Sequence, residues 1–246
     1  MKDGKIKNIL VTGGGQNFGL SLVKSFLKNS NFNIIILTRD SNKLKKELKG
    51  YNNIFQYKPT DFNNNKNLIH KIKKKFGQID VLINNATLNT QKNFSNFIKN
   101  SDDKKIKNYY LTNSVSPLLM IKYLLLGSNK NKMIINILAG RALTGHTRHV
   151  EYYSSKAALY NATITLSNDY KNHNFINIMM GKIDLNNEDE LKKIFKYFNK
   201  VINNFDKDTL NGKSNYHEVY LFFSLFNYLK IRTMFFVKNI MNSKRI

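Results

Sequence analysis

The sequence predicts an α/β protein built on a doubly wound parallel sheet with helices on both faces. Three observations indicate this fold class: short β-branched runs alternate with helical segments, the runs are apolar throughout, and 246 residues suffice for one large domain. Strands that are apolar on both sides are typical of a parallel sheet covered by helices. Regular alternation then implies right-handed crossovers. We expect one domain over residues 1–246, with an atypical C-terminal tail over 213–246.

The individual elements follow from this alternation. Runs rich in Ile, Val and Leu predict strands over residues 8–12, 33–38, 54–58, 81–84, 133–138 and 175–180. Apolar residues at helical spacing predict helices over residues 20–28, 67–76, 104–126, 154–170 and 188–202. Ligands of such sheets bind outside the carboxyl ends of the strands, where the strand order reverses. The strongest motifs of the sequence all follow one of those ends.

The net charge of +24 is the most unusual property of the composition. A basic surface attracts nucleic acid, so a nucleic-acid binder is one interpretation. Only five of the 40 basic residues are arginine, however, and the lysines are spread along the chain. Because guanine recognition depends on arginine, biased composition explains the charge better. We therefore expect no nucleic-acid partner.

Composition also limits the site and the compartment. The chain has no cysteine and its five histidines lack ligand spacing, so neither a disulfide nor a metal site is expected. It shows no secretory signal and no spanning segment, so we expect a cytoplasmic protein. The most apolar segment, residues 219–241, is interrupted by Asn227, Lys230 and Arg232. We interpret it as a packing or oligomer-forming segment, with a helix at a membrane surface as the alternative.

The motif TGGGQNFG, residues 12–19, lies between the first predicted strand and the first predicted helix. Glycine costs conformational entropy on folding, so three in a row indicate that something approaches the backbone closely. In this context, a glycine turn holds a pyrophosphate on main-chain N–H groups at the helix N-terminus. The alternative is a tight turn that binds no ligand.

The second predicted strand ends at Thr38, which is followed by Arg39 and Asp40. Residues at this place meet the adenosine ribose of a dinucleotide, where an acidic residue binds the 2′-hydroxyl and an arginine accommodates a 2′-phosphate. Thr38 and Arg39 therefore favour NADP over NAD. Asp40 complicates this prediction, because a shift of one residue would bring a carboxylate to the ribose. The alternative is an ordinary exposed arginine.

Six motifs in register resemble those of the classical short-chain dehydrogenases/reductases, over about residues 7–181. They are the turn at 12–19, with Asn17 where the family usually has glycine; Asp61; NNAT at 84–87, similar to NNAG; Asn113; YYSSK at 152–156, the YxxxK signature; and MMG at 179–181. The resemblance implies a Rossmann-like three-layer fold and an NAD(P)-dependent oxidoreductase that interconverts a carbonyl and a hydroxyl group of a small-molecule substrate. The coenzyme contacts that it implies are Gly13, Gly15, Gln16, Asn17, Phe18, Gly19, Thr38, Arg39, Asp61, Phe62, Asn85, Ala86, Tyr152, Lys156 and Ile183. Family members commonly pair through the helices at 104–126 and 154–170, which implies a homo-oligomer.

Tyr152 and Lys156 lie four residues apart, so they share one face of a helix. A lysine ammonium nearby favours the phenolate, and we expect it to lower the pKa of Tyr152 from its ordinary value of about 10. By resemblance, Tyr152 exchanges a proton with the substrate oxygen and Lys156 holds the nicotinamide ribose. The resemblance also implies that Asn113 anchors a water that connects Lys156 to solvent. These three are the expected catalytic residues.

The sequence departs from the family pattern in four places, one of which, Met180, lies in the cofactor-supporting turn. Ala139 stands where the family has a serine that binds the substrate oxygen and orients the tyrosine, and losing such a donor costs about 10²–10³ in rate. Thr144 is the nearest later hydroxyl. Met180 replaces a proline, and the helix at 188–202 follows so soon that we expect almost no substrate lid. After residue 212 the family's final strand is not recognisable.

These departures leave a second function open. A domain that binds a dinucleotide but has lost catalysis would serve as a sensor or as an assembly partner. The retained Asn113, Tyr152 and Lys156 favour the oxidoreductase, whereas Ala139 and the shortened lid favour this pseudoenzyme.

Overall fold

In the computed structural model, residues 6–89, 102–145, 149–181, 183–205 and 216–221 are described. Their strands form one seven-stranded sheet in the order β3-β2-β1-β4-β5-β6-β7, and every pair of neighbours is parallel. The strands are β1 (Lys7–Thr12), β2 (Phe32–Thr38), β3 (Ile54–Gln56), β4 (Val81–Asn84), β5 (Met133–Ala139), β6 (Asn174–Met180) and β7 (Tyr216–Leu221). The strand order reverses at β1, which lies between β2 and β4. The predicted doubly wound sheet is confirmed.

Seven α-helices occur in the part of the chain that the structure describes. They are α1 (Asn17–Phe26), α2 (Ser41–Glu47), α3 (Phe62–Phe76), α4 (Asp103–Tyr110), α5 (Ser116–Leu125), α6 (Val150–Asp169) and α7 (Glu188–Asn203). A π-helical turn, Leu111–Val115, joins α4 to α5, and a short 3₁₀ turn, Gly140–Ala142, follows β5. The helix predicted over 104–126 is therefore interrupted in its middle, at the segment that contains Asn113. None of these helices is long and apolar enough to cross a membrane.

Apolar side chains cover both faces of the sheet. On one face, α1 and α7 pack against β1, β2 and β6, with Phe26 and Phe198 fully buried between them. On the other face, α3 and α5 pack through Ile72 and Met120. Two helical layers therefore enclose the central strands, which explains why their residues are apolar on both sides.

A row of asparagines crosses the sheet inside this apolar core. Asn84, Asn136 and Asn177 occupy paired positions on β4, β5 and β6. The Nδ2 of Asn84 donates to Oδ1 of Asn136 at 2.8 Å, and the Nδ2 of Asn136 donates to Oγ1 of Thr163 at 2.9 Å. Buried amides need such partners, so the row links three strands to α6, the helix that carries Tyr152 and Lys156.

Strand β7 corrects the expectation that the family's final strand is missing. Tyr216–Leu221 pairs with β6 in parallel along its whole length. Its apolar residues alternate with polar ones: Val219 and Leu221 pack against the cluster that includes α7, and Tyr216 packs on the opposite face. The pattern is therefore that of a strand with two different faces rather than a continuous apolar run. The rest of the predicted tail, residues 213–215 and 222–246, lies outside the described residues.

Candidate active site

The glycine turn after β1 packs tightly against its own protein surroundings. Gly13 has φ +66°, and a Cβ added there would lie 2.7 Å from the Cα of Ala86. A Cβ at Gly15 would lie 2.1 Å from Oγ1 of Thr38, and one at Gly19 would lie 2.2 Å from the carbonyl oxygen of Gly13. The sequence interpretation that something approaches this backbone is correct in part, because the neighbours in the structure are β2, the loop after β4 and the turn itself.

Asn17 explains how the turn works without the family's middle glycine. Its φ is +49°, a left-handed conformation that asparagine adopts more readily than most residues. Gln16 precedes it in an extended conformation and makes no side-chain cap, and the first turn of α1 carries no acidic residue. The first helical main-chain bond of α1 runs from the N–H of Leu20 to the carbonyl of Gln16. The N-terminus of α1 therefore has main-chain N–H groups that its N-cap side chain does not engage, an arrangement that suits anions in general.

Phe18 contributes to packing rather than to this N–H surface. Its ring lies 6.2 Å from that of Phe195 and 6.4 Å from that of Phe198, both on α7. Any contact that Phe18 makes to a coenzyme would therefore come from its main chain.

Three residues at the end of β2 bear on the choice of coenzyme, and they have different structural roles. Thr38 is buried against the glycine turn, and Arg39 is exposed. Asp40 is the N-cap of α2, where its Oδ1 accepts from the N–H of Lys43 at 2.9 Å. The carboxylate that complicated the sequence prediction is thus engaged in capping a helix.

The remaining predicted coenzyme contacts lie along the same edge of the sheet. The Nδ2 of Asn85 donates to the carbonyl oxygens of Thr12 and Gly13, at 3.2 and 3.0 Å, so the loop after β4 is tied to the glycine turn. The main-chain N–H groups of Asn85 and Ala86 both donate to Oγ1 of Thr12. Asp61 is the N-cap of α3, whose first residue is Phe62. Ile183 packs half-buried against the core next to α7.

Asn113 is fully buried in the π-helical turn and has no hydrogen-bonding capacity left on its side chain. Its Oδ1 accepts from the N–H of Leu88 at 2.8 Å and from Oγ1 of Thr87 at 3.1 Å. Its Nδ2 donates to the carbonyl of Leu88 and to Oγ of Ser155, both at 3.1 Å. π-Helical turns of this kind are frequent at functional sites. Here the side chain joins the loop after β4 to α6.

Tyr152 lies in the first turn of α6 and is half-buried. Burial raises the pKa of its phenol to about 12, with a further increase from the neighbouring Tyr153, whose ring lies 5.1 Å away. The Thr87 side chain acts in the opposite direction and lowers this pKa.

Lys156 lies one turn further along α6 and is almost completely buried. Its Nζ donates to the carbonyl oxygen of Ile137 on β5 at 2.9 Å, and burial lowers the pKa of its ammonium to about 8. The expectation that Lys156 lowers the pKa of Tyr152 is therefore wrong for this structure. Its ammonium is bonded to β5, and the burial of the phenol outweighs the effects that favour ionisation.

Position 139, where the family has a serine, carries no hydroxyl group, as the sequence indicates. Ala139 is buried at the end of β5, and Thr144 donates to the carbonyl of Gly145 within its own turn at 3.3 Å. Seven residues separate the end of β6 at Met180 from the start of α7 at Glu188, so the short interval expected in place of a lid is present.

Sequence reasoning missed one residue of this site, Thr87. The available signal was the motif NNAT, in which threonine replaces the last residue of the family's NNAG. Because that position is usually glycine, the resemblance assigns no role to a threonine there, whereas in the structure its hydroxyl bonds to Asn113.

Comparisons with known proteins agree with this architecture. A segment of 100 residues is 30% identical to glucose and ribitol dehydrogenase homolog 2 of Arabidopsis thaliana, covering 41% of this chain and 33% of that protein. The chain therefore matches about a third of the length of this relative. Among solved structures, a 3-oxoacyl-[acyl-carrier protein] reductase from Brucella melitensis superposes with a TM-score of 0.70 at 16% identity, covering 88% of this chain and 95% of the other. A short-chain dehydrogenase from Streptomyces avermitilis superposes with a TM-score of 0.67 at 19% identity, covering 74% and 68%.

At such identities the solved structures establish the fold alone, and the family follows from the sequence itself. Residues 7–194, which include the glycine turn, Asn113, Tyr152 and Lys156, match the sequence profile described as short chain dehydrogenase. This match extends over most of the chain. The protein therefore belongs to the short-chain dehydrogenase family, a family of oxidoreductases.

Proposed function

We propose that this protein reduces a carbonyl group of a small molecule, with NADP(H) as the preferred coenzyme. The observation that carries the proposal is the position of Tyr152 and Lys156 on α6. Asn113 ties this helix, through Ser155, to the loop after β4, and Asn85 ties the same loop to the glycine turn. A proton donor and an anion-binding helix N-terminus thus lie at the carboxyl edge of one sheet, next to the strand at which the order reverses. Family membership supports the same reaction class.

The residues present fit a dinucleotide. The uncapped N-terminus of α1 would hold the pyrophosphate on main-chain N–H groups from Gly15 to Gly19. Arg39, exposed at the end of β2, would pair with a 2′-phosphate, while Asp40 is occupied at the cap of α2. Asp61 and Ile183 would contact the adenine and nicotinamide ends by resemblance. A bound nicotinamide coenzyme supplies the hydride.

The protonation states favour the direction of reduction. With a pKa of about 12, Tyr152 carries its proton at neutral pH and is ready to donate it to the oxygen of a carbonyl that receives a hydride. Lys156, with a pKa of about 8, remains largely protonated at pH 7 and would hold the coenzyme ribose by its Nζ. Asn113 holds the loop after β4 against α6 and so positions the phenol.

The alternative is a domain that binds the dinucleotide without catalysis. The specific observations that favour it are the absence of a hydroxyl at Ala139 and the seven-residue interval before α7. An open site excludes water poorly and binds a small substrate weakly. Both functions require the coenzyme, and only the first requires turnover.

The proposal also covers the oligomeric state of the protein and its cellular compartment. We propose a cytoplasmic homo-oligomer that pairs through α4, α5 and α6, where Tyr110 and Val150 leave large apolar side chains exposed. Size-exclusion chromatography with light scattering measures the oligomeric state directly.

The test combines coenzyme binding with turnover. Purified protein is titrated with NADPH and with NADH by coenzyme fluorescence, and NADPH is expected to bind more tightly. A panel of ketones and aldehydes is then screened for NADPH oxidation, with Tyr152→Phe as the control. Tight NADPH binding with no turnover across a broad panel favours the pseudoenzyme, and no binding of either coenzyme overturns both functions.

A further inference from the structure

We infer that Glu218 is a positioning residue for Tyr152 and Lys156: its carboxylate on β7 holds the hydroxyl of Tyr160 and thereby fixes how helix α6 lies on the sheet. The inference deepens the proposed function and rests on it, because only a reaction at Tyr152 requires this helix to be placed so closely. Glu218 lies outside residues 7–194, the segment that matches the family, so the resemblance assigns it no role.

Helix α6 differs from the other long helices in the residues that it buries. Of its six buried residues only Leu159 is apolar, the others being Glu151, Ser155, Lys156, Thr163 and Ser167. Helix α7, in contrast, buries Leu191, Ile194, Phe198 and Ile202. Apolar packing has no preferred direction, whereas a hydrogen bond weakens steeply when its distance or angle changes. The placement of α6 on the sheet therefore depends largely on its polar contacts.

Side-chain hydrogen bonds attach α6 to two strands of the sheet. Lys156 and Thr163 each bond to β5 at 2.9 Å. Tyr160, which lies between them, donates its hydroxyl to Oε1 of Glu218 on β7 at 2.6 Å. Tyr160 lies four residues after Lys156 and eight after Tyr152, so the three side chains lie along one side of the helix. A displacement at Tyr160 is therefore passed along the helix to both site residues.

The Glu218 carboxylate is itself held in place by the sheet. Its Oε1 also accepts from the hydroxyl of Tyr216 at 2.7 Å, and that hydroxyl accepts from Nδ2 of Asn177 on β6 at 3.1 Å. Hydrogen bonds to a charged acceptor are shorter and stronger than those between neutral groups. Burial, and after it the carboxylate, raises the pKa of the Tyr160 phenol, which therefore keeps its proton and remains a donor. One carboxylate oxygen thus connects α6 to β6 and β7.

The two phenols that share this oxygen provide a matched pair of variants. Tyr160→Phe releases α6 from β7, whereas Tyr216→Phe leaves the bond from Tyr160 to Glu218 in place. Tyr216→Phe also removes the acceptor of Asn177, so it should cost the fold at least as much stability as Tyr160→Phe. An effect at the site that only Tyr160→Phe has therefore reports the placement of α6 and not the stability of the fold.

The first measurement requires no substrate. The full-length protein carries a fluorinated tyrosine at position 152, whose fluorine NMR signal depends on its surroundings. We expect this signal to move in Tyr160→Phe and to stay at the parent position in Tyr216→Phe. If it moves equally in the two variants, or in neither, the inference is wrong. Glu218→Gln, which keeps the shape of the side chain and removes its charge, replaces Tyr160→Phe in this comparison should that variant not fold.

The second measurement uses the proposed reaction. A displacement of about 1 Å at a reacting group can cost about 10²-fold in rate, so Tyr160→Phe should lower kcat by roughly ten- to a hundredfold. KM for NADPH should change much less, because the phosphate contacts are proposed for α1 and the end of β2. Tyr216→Phe should keep kcat close to that of the parent protein.

The two measurements separate the inference from the proposed function. Equal losses of kcat in Tyr160→Phe and Tyr216→Phe, or no loss in Tyr160→Phe, overturn the inference. If the fluorine signal moves as expected but the parent protein reduces no carbonyl, the positioning contact stands and the proposed reduction fails.

Discussion

The coenzyme side and the substrate side of this protein lie at the same edge of the sheet, but they are built from different parts of the chain. On the coenzyme side, the turn after β1 depends on main-chain packing, and a side chain at Gly15 or Gly19 would come within 2.2 Å of its neighbours. On the substrate side, at the end of β5, the determining group is the side chain of Ala139. Replacing a side chain there leaves strand pairing untouched.

This difference explains why the motifs of one side match the family closely and those of the other depart from it. A change in the glycine turn costs packing energy in the core, so fold and coenzyme site are coupled. A serine-to-alanine difference at position 139 costs the fold little, because the methyl group is buried at a strand end. The fold therefore constrains where a coenzyme binds far more than it constrains which substrate reacts.

The largest expected effect tests the substrate side. Tyr152→Phe removes the only proposed proton donor and should lower kcat by about 10²–10⁴-fold, the usual contribution of general acid catalysis. NADPH affinity should change little, because the contacts proposed for the pyrophosphate and the 2′-phosphate do not involve the phenol. The matched control is Tyr153→Phe, since Tyr153 is the adjacent tyrosine of the same helix turn and packs on the Tyr152 ring. Steady-state kinetics that show equal losses in the two variants would contradict the assignment of Tyr152.

The second-largest effect concerns Lys156, which is linked to both sides of the site. It is proposed to bind the coenzyme, and it is buried against β5, the strand that ends at Ala139. Burial lowers the pKa of Lys156 from 10.5 to about 8. Between pH 8 and pH 10.5, the unfolded chain therefore binds more protons than the folded protein. The free energy of unfolding consequently rises with pH over this interval. The difference corresponds to roughly 3 kcal/mol of cost to the folded state below pH 8. Lys156→Met should therefore be more stable than the parent protein at pH 7 by up to that amount, and it should bind NADPH more weakly.

Urea denaturation at pH 7 and at pH 9.5 measures this prediction. The stability difference between Lys156→Met and the parent protein should shrink toward the higher pH, as the parent lysine loses its proton. Lys193→Met, at an exposed position of α7, should show no such dependence on pH. A Lys156→Met variant that is less stable than the parent at pH 7 would show that the ammonium stabilises the fold.

The sequence was sufficient for most of the fold, because its central strands are apolar on both faces and helices separate them. It was not sufficient for β7, whose alternating residues Tyr216–Leu221 differ from the continuous runs of the other strands. Helix α2 also escaped prediction, since Leu44 is the one buried residue that it contributes in seven. Both elements bury little apolar surface, so hydrophobic periodicity indicates them weakly.

For the site, sequence predicted residue identities better than their contacts. Family motifs located Asn113, Tyr152 and Lys156, and the structure ties Asn113 to the helix of Tyr152 and Lys156 through its hydrogen bond to Ser155. The motifs could not show that Lys156 bonds to the Ile137 carbonyl, because that contact depends on how α6 packs on β5.

A smaller effect tests whether the stability of the fold and the binding of the coenzyme are coupled at the glycine turn. Gly19→Ala would place a Cβ 2.2 Å from the carbonyl oxygen of Gly13 and 2.5 Å from Nδ2 of Asn85, and we expect a loss of about 1–3 kcal/mol in stability together with loss of NADPH binding. Gly50→Ala is the matched control. Gly50 has φ +82° and no atom within 4 Å of the added Cβ, so alanine there should cost about 1–2 kcal/mol through backbone strain alone. Thermal denaturation and coenzyme titration should show that both variants lose stability and only Gly19→Ala loses NADPH binding.

The smallest expected effect concerns the choice between the two coenzymes. Arg39 is exposed, so its pairing with a 2′-phosphate is partly screened by solvent, and we expect Arg39→Ala to weaken NADPH binding about tenfold. NADH lacks that phosphate, and its affinity should stay the same within twofold or so. Lys28→Ala removes one positive charge from an exposed position after α1 and controls for the general attraction between a basic protein and an anionic coenzyme. Equal losses of NADPH and NADH affinity in Arg39→Ala would show that this arginine does not select the coenzyme, and the cause of any preference would then lie elsewhere at the end of β2.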